Sequence, residues 1–182
     1  MKSLQTLLAD AAPDPAAWLV IFDDDVTFVH PHRSRIIDYA AEAHLDLAMP
    51  AHWPSSPHTF NHTVLRPAST VRRVRFVEVG PLLLVSPDAR QSILPFPADA
   101  QMGWGLDVHW ATLAARGKIT LGVIDTTPVI HHGPVGAAYP RGGEEQVLNH
   151  YLREAGIGSA YELVGSLTPR WHAWQRTPPW TR

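Results

Sequence analysis

The chain has 182 residues, 45% of them hydrophobic and 18% charged, which is the length and make-up of one folded domain rather than a disordered tail. Its 15 Lys and Arg against 17 Asp and Glu leave a net charge of −2, which excludes a strongly basic binder of nucleic acid or of a membrane surface. With no cysteine, disulfide scaffolds, thiolate zinc sites and thiol nucleophiles are excluded as well.

The first fifteen residues lack the long apolar stretch and the small-residue cleavage site of a signal peptide. The longest apolar run, Trp18 to Phe22, is too short to span a bilayer. A soluble cytoplasmic protein without a transmembrane segment is the expectation. Ser3 can cap a first helix with Leu4, Leu7, Leu8 and Ala11 on one face, and Pro13 and Pro15 end it. Trp18-Leu19-Val20-Ile21-Phe22 has no alternation, which predicts a strand covered on both faces, and it closes in Asp23-Asp24-Asp25. Ser34 can cap a second helix with Ile36, Ile37, Ala40, Ala41 and His44 inward. Leu45 to Met49 reads as a strand stopped by Pro50, and 50–70 as loop.

Val71 to Val79 sets Val71, Val74 and Phe76 against Arg72, Arg73, Arg75 and Glu78, which predicts a strand with one wet face. Gly80-Pro81 breaks it. Leu82 to Val85 reads as a buried strand, and Ser86-Pro87-Asp88 as the start of a short helix. A loop at 95–105 leads to a helix over Leu106 to Ala115, which Arg116-Gly117 stops. Leu121 to Ile124 is a strand. Glu144 to Glu154 is an amphipathic helix with Val147, Leu148, Tyr151 and Leu152 inward. Alternating strands and helices predict an α/β layer structure over 1–160, followed by an irregular Trp- and Pro-rich tail over 161–182.

Three groups of residues carry chemistry. Asp23 and Asp25, two apart on an extended chain, point to one side at the end of an apolar strand, where ligands of open α/β sheets bind. Their oxygens suit Mg²⁺ or Mn²⁺; the plainer alternative is a solvated acidic turn. Gly103-Trp104-Gly105-Leu106-Asp107 offers close backbone approach, a flat apolar platform and a carboxylate in a first helical turn. Asp107 is there either a dipole-stabilising residue or a general base. His131-His132-Gly133 follows a strand, and an imidazole there could complete a metal site with Asp25. Glu78 precedes a strand break and points into a pocket or onto the surface; the arginines at 72, 73 and 75 read as a solvated face. Asn61-His62-Thr63 matches a glycosylation acceptor, set aside without a secretion signal, and His30-x-His32 lacks zinc-protease spacing.

Taken in order, the DDD strand, Val77-Glu78-Val79-Gly80-Pro81, Met102-Gly103-Trp104-Gly105-Leu106-Asp107 and Val123 to His131 resemble the GT-A glycosyltransferases of family-2-like type, over roughly residues 15–140. The resemblance implies a GT-A-like mixed sheet flanked by helices. It implies Asp23, Asp24 and Asp25 at a nucleotide-sugar donor, and Mn²⁺ or Mg²⁺ held by Asp25 and His131, with His132 as the alternative ligand. Asp107 would be the catalytic base of an inverting transfer to a hydroxyl acceptor, a glycan or a small molecule, and Glu78, Gly103 and Trp104 would lie at the acceptor. The fold normally carries a nucleotide-binding β-α-β portion ahead of its Asp-x-Asp strand, and only 22 residues precede Asp23. An N-terminally shortened nucleotide site is therefore expected, with an open edge on the 18–22 strand through which a homo-oligomer could form. The alternative functions are a non-catalytic remnant acting as a sugar-binding or interaction module and, ranked below it, a metal-dependent hydrolase.

Overall fold

The structure is a computed structural model that describes residues 4–11, 13–29, 34–98, 100, 103–133, 142–167 and 170–181. Helix α1 (Leu4–Ala11) precedes strand β1 (Leu19–Phe22), which turns at once into β2 (Val26–Phe28). Helix α2 (Ile36–Glu42) and strand β3 (Leu47–His52) follow, then a 3-10 turn at Asn61–Thr63 and strand β4 (Ser69–Val74). Next come β5 (Leu82–Val85), the short α3 (Arg90–Ile93), α4 (Leu106–Ala115), the long β6 (Leu121–His131) and α5 (Gly142–Ala155). A 3-10 turn at Ala160–Leu163, strand β7 (Trp171–His172) and a final 3-10 turn at Pro179–Thr181 complete the chain. The predicted Ser3 cap, the His30-x-His32 pair and Met102 lie outside the described residues.

The strands form one mixed sheet in the order β1-β5-β3-β6-β4-β7, with β2 paired to the far half of β6. Among the strand pairs, β3 and β6 run parallel and the others are antiparallel; a single parallel bridge joins His52 to Val64. Strand alternation sorts the core into two layers. Leu47, Met49, Leu83, Val85, Val74 and Val123 pack with Leu106 and Trp110 of α4 and Ile93 of α3. Ala48, Leu82, Leu84, Val71 and Ile124 pack on the other face with Ile36 and Ala40 of α2 and with Trp171. The α/β class and the mixed, helix-flanked sheet expected from sequence are both present. No helix among the described residues is long and apolar enough to cross a membrane.

Several local expectations need correction. β1 is not covered on both faces: it is the edge strand, and Val20 and Phe22 alternate outward while Leu19 and Ile21 face the core. An unbroken apolar run records what could be covered, not what is. Among the described residues no strand pairs with the outer edge of β1, as expected. β3 runs through Pro50 to His52, because the register with β6 shifts between those residues and a proline fits at such an irregularity. β6 likewise continues through Pro128, at the point where its partner changes from β4 to β2. Ser34 makes no cap: the N-cap position of α2 is Arg35, without a side-chain hydrogen bond. Ala41 is exposed, and His44, at φ 50°, lies in the exposed turn after the helix, so Ala43 takes the inner position. The tail is less irregular than predicted, since β7 pairs with β4 and buries Trp171.

The largest departure is the wet face expected of β4. Arg72 is fully buried and forms a bidentate pair with Asp125 of β6, at 2.8 Å from Nε to Oδ2 and 3.0 Å from Nη2 to Oδ1. Its remaining donors go to the carbonyls of His62 (2.5 Å) and Val64 (3.1 Å), and Asp125 Oδ1 also accepts the Arg66 backbone N–H at 2.9 Å. Arg73 points to the other face, donates to the Ala43 carbonyl and covers the Trp180 ring. Of the three arginines only Arg75 is exposed.

Candidate metal centre and carboxylate pair

Strands β1, β3 and β6 all end at the same side of the sheet, because β1 and β3 both run antiparallel to β5 and β6 runs parallel to β3. β5 begins there, so the segment 78–81 that feeds it lies at the same end. Residues far apart in the chain thereby converge on one lip of the sheet, in keeping with the ligand-binding end of open α/β sheets.

The first group is built by the β2–β6 pairing. Val26 sits opposite His131, and the His132 N–H bonds to the Asp25 carbonyl at 3.1 Å, so the DDD turn is laid against the end of β6. His131 Nε2 lies 3.1 Å from Asp25 Oδ1 and 3.8 Å from Asp23 Oδ2. One ligand atom from each of Asp23, Asp25 and His131 falls within 4.8 Å of the others. Asp24 is exposed in the turn and stands outside this group. His132 turns away, with Nε2 2.9 Å from Thr27 Oγ1, so of the two adjacent histidines His131 meets the carboxylates. Desolvation raises the Asp23 carboxyl above its ordinary value; His131 opposes the rise, while Asp25 and Asp24 add to it. A crowded set of anions of this kind is relieved by a cation.

The donor set fits a divalent cation. Two carboxylates and an imidazole suit Mn²⁺ better than Mg²⁺, which prefers oxygen throughout. Gly133 adds a second observation. Its backbone N–H donates to Asp25 Oδ2 at 2.8 Å, and a Cβ there would stand 2.5 Å from that same oxygen. The chain thus leaves room for a carboxylate that it also orients. Gly133→Ala is expected to displace the Asp25 carboxylate and weaken Mn²⁺ binding by about 10- to 100-fold, the range found when ligand-orienting contacts are lost. Isothermal titration with MnCl₂ would measure it.

The second group centres on Glu78, which is buried with both oxygens engaged by protein. Oε1 lies 2.5 Å from His52 Nε2 and accepts the Thr63 hydroxyl at 3.2 Å; Oε2 accepts the Thr59 N–H at 3.1 Å. Burial alone would raise its pKa, but the hydrogen bond and charge of His52, with the two further donors, hold it below the usual range. Its oxygens are thus turned toward His52 and the loop 53–63. His52 falls in a stretch that reads as loop, and no periodicity flags it: its pairing depends on β3 running beyond Pro50.

Asp107 stands in the first turn of α4, where its Oδ1 accepts the Val108 N–H at 2.8 Å. Burial pushes its pKa up to about 7; the Val108 N–H opposes this, and the charge of Glu78 raises it further. The preceding turn reaches Glu78's neighbourhood through Gly103, whose φ is +90° and whose absent side chain is replaced by Val79: a Cβ would stand 2.5 Å from Val79 Cγ1. Gly103 is thus explained by packing, while Trp104 is half-buried in the same turn. The loop 53–63 joins the two groups. Ser56, itself buried, accepts the His131 N–H at 2.9 Å, and its carbonyl accepts from His58 Nδ1 at 2.7 Å; the His58 and His52 rings are 5.8 Å apart.

Comparison of the sequence with protein-family models gave no match, and comparison with curated proteins gave none either. The functional reading therefore rests on the residues and their arrangement.

Proposed function

We propose that the chain is a metal-dependent, GT-A-like glycosyltransferase domain that moves a sugar from a nucleotide-sugar donor to a hydroxyl acceptor. The observation that carries this reading is the gathering of Asp23, Asp25 and His131 within 4.8 Å, at the same end of the sheet as a carboxyl whose pKa burial lifts to about 7. Asp25 and His131 would hold Mn²⁺ or Mg²⁺, with Asp23 beside them. A divalent cation bound there neutralises the charge that develops on a leaving diphosphate, a contribution of several kcal/mol. Asp107 would take the acceptor hydroxyl's proton as that oxygen attacks the anomeric carbon and the bond from that carbon to the diphosphate oxygen breaks. A base that titrates near neutrality is matched to this task, and such proton transfer is typically worth about 10²–10⁴-fold. Trp104 offers its ring to the acceptor's apolar face.

Thermal unfolding with Mn²⁺ and a panel of nucleoside diphosphates tests the reading. One nucleotide is expected to raise the unfolding temperature only with Mn²⁺ present, by an amount equivalent to about 2.7 kcal/mol at a hundredfold excess over Kd, and Asp25→Ala should abolish the shift. A shift that survives Asp25→Ala would remove Asp25 from the site.

A second reading, a non-catalytic interaction module, is favoured by one feature: Phe22 on the edge strand is 65% exposed, with Val20 beside it on the same face. Such an edge can pair with a second copy. A monodisperse monomer in light scattering would speak against that module.

A further inference from the structure

We propose that the turn after β7 forms a binding site for an acidic sugar: the ring of a uronic-acid unit lies on the open face of Trp174, and its carboxylate meets the Arg176 guanidinium. The site shares no residue with the metal group, so the inference goes beyond the transfer reading and does not rest on it. A single exposed aromatic is ordinary on a protein surface. Trp174 differs because it is held still. It is 70% exposed, yet one face of its ring stacks on His172, at 4.2 Å between centroids and 10° between planes. The turn that carries it is tied down on both sides. The Ala173 N–H donates to the Ala68 carbonyl at 3.1 Å, and the Gln175 N–H to the His172 carbonyl at 2.9 Å. The Gln175 carbonyl accepts the indole N–H of buried Trp171 at 3.0 Å, and Gln175 Oε1 accepts the His172 N–H at 2.7 Å. A platform fixed in advance spares the ordering entropy that binding otherwise costs.

Beside this ring lies a cavity of about 420 Å³, lined by Trp174, Gln175, Arg176, Thr177 and Pro179. That volume falls within the range of small-ligand sites. Trp174 and Pro179 supply apolar surface, and the negative face of an aromatic ring attracts the weakly positive C–H groups of a sugar ring. Arg176 and Thr177 are exposed. With its oxygen spent on the His172 N–H, the Gln175 amide keeps its NH₂ donors. The lining side chains thus offer mainly donors, which suits a ligand rich in acceptors. A carboxylate is the planar partner of a guanidinium fork. A nucleobase fits less well, because its edge presents N–H donors as well as acceptors. The charge agrees. From Leu163 to Arg182 the sequence has three arginines and neither Asp nor Glu, in a chain whose net charge is −2. The tail is the cationic part of an otherwise acidic protein, and so the complement of an acidic ligand.

¹H–¹⁵N spectra of the Trp indoles in the full chain test this, with EDTA present so that no metal-bound uronate contributes. Failure is then separable from failure of the transferase reading. The Trp174 signal, identified by its absence in Trp174→Ala, is expected to shift saturably with tetragalacturonate. Calorimetry should show binding abolished in Trp174→Ala and weakened about tenfold in Arg176→Gln. Both variants change exposed side chains and should unfold close to the wild-type temperature. No saturable shift overturns the proposal, as does full affinity in either variant. Equal binding of maltotetraose, which has no carboxylate, overturns it as well. A shift with adenosine monophosphate and none with tetragalacturonate also overturns it, and marks a nucleotide site instead.

Discussion

Asp125→Ala is expected to lower the unfolding free energy by about 3–5 kcal/mol, a large share of the roughly 5–15 kcal/mol that holds a domain folded. The reason is the guanidinium left behind. Arg72 is fully enclosed, and Asp125 answers two of its N–H groups. Without the carboxylate a charge stays buried with only carbonyls to face, and the Arg66 N–H loses its acceptor too. Urea unfolding followed by circular dichroism would measure the loss. The double variant Arg72→Met/Asp125→Leu separates two roles. Replacing a whole buried pair with apolar side chains is often neutral for stability. It would also free the His62 and Val64 carbonyls and the Arg66 N–H, and hence the segment that carries Thr63 to Glu78. A double variant that folds well but shows a raised Glu78 midpoint in a carboxyl ¹³C NMR titration would assign this pair to holding the loop. Full stability in Asp125→Ala alone would contradict the burial argument.

How much of this is readable in the chain depends on the range of the interactions. α4 is legible in its bounds, Leu106 to Ala115, because the Gly-rich turn before it and the Arg116-Gly117 stop are local signals. The two layers of the core are legible at β5, where four consecutive apolar residues pack two to each face. Asp25 and His131 are legible as partners only through the order of the motifs; the contact itself is made by the β2–β6 pairing, which no local pattern encodes. Arg72 shows the limit most clearly. An arginine flanked by others on a strand reads as solvated, and its burial follows from a partner on a neighbouring strand, 53 residues away. The sequence signal that could find it is Asp125, a lone carboxylate in a strand with no Lys, Arg or Glu, which must be paired if that strand is central. His52 is hidden for a related reason. A proline reads as the end of a strand, yet at a register shift the strand passes through it.

Asp107→Asn is expected to do two things at once: reduce sugar transfer by about 10²–10⁴-fold, the range for loss of a positioned base, and make the fold more stable above pH 7. The second effect follows from proton linkage. The folded chain holds the Asp107 proton up to about pH 7, whereas the unfolded chain releases it near the ordinary value of 3.8. Across that window the native state binds more protons than the unfolded one, so the stability contributed by this site is full below about pH 3.8 and is lost as pH rises to about 7. Asparagine, which stands in for the neutral carboxyl, escapes that loss. The gain in unfolding temperature over wild type should be largest at pH 8, smaller at pH 5 and absent below pH 4, as read by differential scanning calorimetry at each pH. A merely dipole-stabilising aspartate predicts the opposite sign, because removing a favourable charge from a first helical turn lowers stability at neutral pH. The two readings of Asp107 that the sequence leaves open are therefore separated by the sign of one temperature shift. A group kept in a surrounding that disfavours its charged form, at a cost to the fold, is what a proton-transfer residue requires and a structural one does not.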